Sequence, residues 1–115
     1  MSERGKFEEI LGMCFGTLHP KTASLIPKAR EVIEMLREHG GEMKRDDLAR
    51  KLGYDLSSSA DKKRFYNVVS PLMNKLIMSS RGADGSAKYH LSYDAFRVWL
   101  ESLRKTVHYQ LERKD

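Results

Sequence analysis

The residues able to make or break bonds are few and scattered. His19, His39, His90 and His108 stand at no metal-ligand spacing, and Cys14 has no second cysteine with which to share a zinc ion. Asp46 and Asp47 are adjacent carboxylates, but acids in the first turn of a helix chiefly favour its dipole. A glycine-rich phosphate loop and a nucleophile elbow are both missing. These residue types predict a protein that is not an enzyme and holds neither metal nor cofactor.

A second kind of chemistry needs only a polar helix face. Lys63, Asn67, Ser70 and Asn74 follow one another at i, i+4, i+7 and i+11, with Arg64 and Tyr66 beside them. On a helix this spacing gathers them opposite Phe65, Val69, Leu72 and Leu76. Lysine reaches guanine acceptors or phosphates, asparagine pairs bidentately with adenine, and serine adapts to several partners. Residues 44–90 contain no glutamate, so no long acidic side chain on this face repels phosphate. The plainer alternative is a polar face that only meets water.

Charge placement points the same way. The net charge of +5 is modest for 115 residues. Residues 44–90 hold ten Lys/Arg against five acids, while residues 1–43 carry a net −1 and residues 91–115 a net +1. A basic block between near-neutral segments is the pattern of a polyanion-binding surface. Simple solubility is the competing explanation for each single cation.

The elements that must position these residues follow from periodicity and capping. Phe7, Ile10, Leu11, Cys14, Phe15 and Leu18 recur at helical spacing and predict a helix over 3–17, weakened by Gly12 and Gly16 and closed by His19-Pro20. A second helix is expected over 25–39, with Ser24 as N-cap, Pro27 in its first turn and Gly40-Gly41 as its stop. A short extended link at Glu42-Met43 leads to a helix over 45–52 that turns Leu48, Ala49 and Leu52 inward. Ser58-Ser59-Ala60-Asp61 fits a capping box and starts a helix expected over 59–76. Pro71 falls inside it, where the lost bond to the Asn67 carbonyl should kink or break it. Residues 77–81 and 87–92 are short strands around Gly82-Ala83-Asp84-Gly85-Ser86, whose Asp84-Gly85 pair is a hairpin signal. Ser92 then caps a final helix over 93–111, with Phe96, Trp99, Leu100, Leu103, Val107 and Leu111 on one side.

The fold class expected is mainly α with a small β-hairpin wing. In order of elements, residues 24–92 resemble a winged helix-turn-helix core, in particular that of small bacterial and archaeal transcription regulators, with extra N- and C-terminal helices. The segment MKRDDLARKLG resembles the positioning helix of such proteins, and LMNKLIMSSRGADGSAKYHLS the end of a recognition helix running into a wing. Two departures stand out: the Gly53–Ser58 link exceeds the compact motif's three or four residues, and Pro71 interrupts the second helix.

The resemblance implies double-stranded DNA as partner, with the 59–76 helix in the major groove and the 77–92 hairpin as wing. Its contacts would be Lys63, Arg64, Tyr66, Asn67, Ser70 and Asn74. Arg45, Arg50 and Lys51 on the positioning helix would meet the backbone, and Arg81 and Lys88 flank the wing tip. The chain reads as one domain, with helices 3–17 and 93–111 as candidate dimerisation elements of a homodimer. The alternative is that the two terminal helices pack on each other within one chain. A winged-helix protein-interaction module is the competing function, and RNA binding is weaker without an aromatic stacking platform. The single cysteine, and the lack of a signal peptide or long apolar run, make the cytoplasm the expected location.

Overall fold

The computed structural model describes residues 3–16 and 23–112. Leu18 and the His19-Pro20 break expected to close the first helix lie outside the described residues. Helices α1 (Glu3–Phe15) and α2 (Ile26–Glu38) are followed by strand β1 (Glu42–Lys44), helix α3 (Arg45–Lys51) and helix α4 (Ser59–Val69). A 3-10 turn (Ser70–Leu72), strands β2 (Ile77–Arg81) and β3 (Ala87–Leu91) and the long helix α5 (Tyr93–Glu112) complete the chain. The protein is therefore mainly helical with one small antiparallel sheet.

Local chemistry explains most boundaries. The Ser58 side chain accepts from the Asp61 amide at 3.4 Å and starts α4. The Ser92 hydroxyl accepts from the Ala95 amide at 3.0 Å and starts α5. Pro27 sits in the first turn of α2, but Leu25 occupies the cap position and no side chain caps that end, so Ser24 does not serve as its N-cap. Gly40 and Gly41 end α2 with φ of 79° and 94°, a conformation L side chains reach only with strain.

Helix α4 is shorter than its pattern predicts. It ends at Val69, and Pro71 lies in the 3-10 turn instead of continuing an α-helix to residue 76. Without an N–H, Pro71 cannot bond the Asn67 carbonyl, and the chain tightens to i→i+3 bonds such as Met73 N–H to the Ser70 carbonyl at 3.1 Å. Asn74 then turns the backbone at φ 64° and leads into β2.

The extended link expected at Glu42-Met43 is a third strand of the sheet, a pairing the sequence did not announce. The strand order is β1-β3-β2, with Met43 opposite Tyr89 and Ile77 opposite Leu91. Because paired residues share a face, Met43, Tyr89, Ile77 and Leu91 turn inward, while Glu42, Lys44, Lys88 and His90 turn outward. At the inner face the Tyr89 ring stacks on Phe65 of α4, 6.3 Å between centroids.

One core joins these elements. Leu36, Leu48, Phe65, Leu72 and Ile77 are wholly buried, and Leu11 and Cys14 of α1 belong to the same cluster. Helix α1 therefore spends its apolar side inside the body. Arg30 of α2 reaches back to it, 3.8 Å from Glu8 and 5.8 Å from the Phe7 ring, while also pairing with Glu34 at 2.9 Å. The Lys75 ammonium donates to the Cys14 carbonyl at 2.7 Å and lies 5.6 Å from the Trp99 ring, tying the end of α1 to the base of α5. Among the described residues no helix is long and apolar enough to cross a membrane.

Candidate nucleic-acid interface

Helix α4 presents its polar side as the amphipathic pattern requires. Phe65, Val68 and Val69 are buried, and Lys62, Lys63, Asn67 and Ser70 are exposed. None of these four has a carboxylate within ion-pair distance among the described residues, so their donors face solvent. Lys62 was not singled out from the sequence. Its signal was the i, i+4 relation to Tyr66, which places it at the edge of the same face.

Tyr66 is not a free contact. Its hydroxyl accepts from Arg45 Nη1 at 3.2 Å, and Arg45 Nε also pairs with Asp46 at 3.1 Å. Partial burial opposes the charged guanidinium, but Asp46 and the Tyr66 phenol outweigh it and hold Arg45 above its usual value. Burial pushes the neighbouring Tyr89 phenol well above its ordinary range, with the Tyr66 phenol adding to the effect. Arg45 and Tyr66 thus join the start of α3 to the middle of α4, with the guanidinium at the rim, while Tyr89 of β3 packs on Phe65 of the same helix.

The early end of α4 displaces one member of the sequence-derived set. Ser70 caps the helix and keeps its exposure, but Asn74 sits in the left-handed turn beyond the 3-10 segment and does not continue the Lys63-Asn67 face. The 59–76 helix expected to carry all four is correspondingly about two turns shorter, and Pro71 is the cause.

Most of the other candidate cations are already paired with acids. Arg64 meets Asp61 at 2.8 Å, and Arg50 meets Asp47 at 3.0 Å. Lys51 lies beside the acidic side of α2, around a hollow lined by Glu31, Glu34 and Glu38, away from the α4 face. On the outer sheet face Lys88 pairs with Glu42 at 3.1 Å and Lys44 with Asp84 at 2.9 Å. Exposed pairs such as these are worth little to stability, but in each the acid offsets the cation's charge towards a polyanion.

The hairpin loop is braced from within. Asp84 accepts from the Ser86 hydroxyl at 2.6 Å, the Ser86 amide at 3.0 Å and the Lys44 ammonium. These bonds, the Ser86 hydroxyl foremost, hold its carboxyl well below the usual carboxylate range. Arg81 leaves the sheet on the face that carries Tyr89, whereas Lys88 leaves on the opposite face. Arg81 Nη1 donates to the Gly85 carbonyl at 2.8 Å, leaving its other donors at the tip. The two hairpin cations therefore do not act together, and Arg81 is the one on the α4 side.

What remains is a compact set: Lys62, Lys63, Asn67 and Ser70 on α4 and Arg81 at the hairpin tip, with Arg45, itself paired with Asp46, at its flank. Among the described residues no three His, Cys, Asp or Glu side chains are grouped as a metal site. No family model matches this chain, and neither a curated protein nor a solved structure matches it.

Proposed function

We propose that this protein is a winged helix-turn-helix module that binds double-stranded DNA, placing α4 in the major groove and the β2–β3 hairpin against the adjacent backbone or minor groove. One observation carries the reading: the exposed face of α4 offers lysine, asparagine and serine donors with no acid paired to them, beside a hairpin that turns Arg81 to the same side. The element order and the three-stranded sheet are compatible with this layout. The proposed role is sequence-specific transcription regulation in the cytoplasm, with Asn67 reading base edges and Lys62, Lys63, Arg45 and Arg81 meeting phosphates. Two copies joined through their terminal helices would read half-sites about 34 Å apart, or a multiple of that.

Salt dependence tests it. Four phosphate contacts per copy give log K against log[salt] a slope of roughly −3 to −4 for each copy bound. Asn67→Ala should narrow the affinity gap between a selected duplex and a random one, and Lys63→Ala should weaken both alike. Absence of retardation of any duplex at low salt would remove the proposal. It would favour the second reading, a protein-interaction module, for which the exposed apolar side chains of α5 speak.

A further inference from the structure

Helix α5 leaves the body with an apolar stripe that the other described residues leave largely uncovered. Only Ala95 is buried along its 20 residues, while Tyr93, Leu100, Val107 and Leu111 expose 76, 51, 55 and 78 % of their surface. With Phe96 and Leu103 they fall on one side of the helix, since 93, 96, 100, 103, 107 and 111 step by three and four. At its N-terminal end the stripe runs into an open cavity of about 300 Å³ lined by Phe7, Ile10, Ile33, Leu91, Tyr93 and Phe96. The stripe thus has a hollow at one end and its most exposed leucine at the other.

We infer that this face binds a second copy of itself, with the two α5 helices antiparallel and each copy's Leu111 seated in the other's hollow. The inference rests on the dimer reading above and adds its face, direction and register. Antiparallel pairing with Phe96 level with the second copy's Leu111 also sets Leu100 level with Val107, over an overlap of about 24 Å. A parallel pair would leave both hollows empty and stack the two Leu111 side chains in water.

The charged residues of α5 occupy one flank of the stripe, and in a two-fold antiparallel pair like flanks meet. In this register Arg97 stands near the second copy's Glu112, and Glu101 near its Arg104 and His108, while the two Arg104 side chains meet at the two-fold. Within one chain Arg104 already reaches Glu101 at 2.7 Å, so the same groups need only exchange partners. The four exposed stripe residues and the rim of the hollow amount to several hundred Å² per copy, approaching the ~800 Å² per partner of a standard interface.

Two measurements test it on the full chain. By light scattering at micromolar concentration, the 13.3 kDa chain should have twice its mass, and Leu111→Asp should halve it while the chain still melts cooperatively, at a lower midpoint that no longer rises with protein concentration, because Leu111 is exposed within one chain. In a Cys14→Ala background, Leu100→Cys and Val107→Cys chains should cross-link to each other when mixed and not when oxidised alone. A wild-type mass of one chain would overturn the arrangement and the dimer reading together. A dimer in which Leu100→Cys cross-links to itself, or one that Leu111→Asp does not split, would overturn the arrangement and leave two copies joined elsewhere.

Discussion

Arg45 and Tyr66 meet at 3.2 Å, guanidinium to phenol, and this contact joins the first turn of α3 to the middle of α4. It bridges the two central helices on the side where DNA is proposed to lie. It also turns a residue that the pattern offered as a groove contact into a support for a neighbouring cation. Tyr66→Phe removes the acceptor without opening a cavity. The expected loss is below about 1 kcal/mol, because Arg45 keeps Asp46 and is partly solvated. A urea titration of both proteins checks this, and identical midpoints would show that the bond contributes nothing in solution.

Asp84 ties the hairpin loop to β1 through Lys44. Its folded carboxyl titrates below the ordinary 3.8, so its stabilising contribution is present above that value and is lost as pH falls through the folded one. The difference in thermal midpoint between wild type and Asp84→Asn should stay constant above about pH 5 and shrink in more acid solution. The same variant frees Lys44, and Glu42→Gln frees Lys88, but both cations leave the sheet on the face opposite α4, so neither variant should change the salt slope for random duplex. A slope steeper by about one in either would bring the outer sheet face onto the nucleic acid.

Asn74 holds φ at 64°, which asparagine tolerates and alanine does not. Asn74→Ala should cost about 1 kcal/mol, and Asn74→Gly should cost little. Neither should alter discrimination between duplexes, in contrast to Asn67→Ala. Loss of discrimination in Asn74→Gly would return Asn74 to the recognition surface.

Burial pushes the Cys14 thiol from 9.0 up to about 11, against the opposing pull of Lys75. The folded chain therefore holds this proton more tightly than the unfolded one. The associated stability is intact below pH 9 and is lost as pH rises towards 11. The melting difference between wild type and Cys14→Ala should narrow over that interval. Thiol reagents at pH 8 should label Cys14 only after unfolding.

Short-range chemistry was legible in the sequence. Ser58 and Ser92 cap the helices they precede, Gly40-Gly41 stops α2, and Asp84-Gly85 turns the hairpin, because each acts within four residues of its own position. The stripes of α2, α4 and α5 likewise follow from helical spacing alone. Pro71 was visible as a break, but whether the chain would kink and continue or stop was not, since that depends on what packs beyond it. Three-residue β1 has no periodicity to read, and it is a strand only because β3, more than forty residues later, pairs with it.

The tertiary structure decided which cations remain available. Lys44 finds Asp84 at a separation of 40 residues, and Lys75 finds the Cys14 carbonyl at a separation of 61. Residue types set the supply of ten cations between positions 44 and 90. Only the packed chain divides them into those spent on carboxylates and carbonyls and those, Lys62 and Lys63 above all, left facing outward. Pairing is a matter of distance, and distance across the fold is set by helix packing and strand register, which no local spacing encodes.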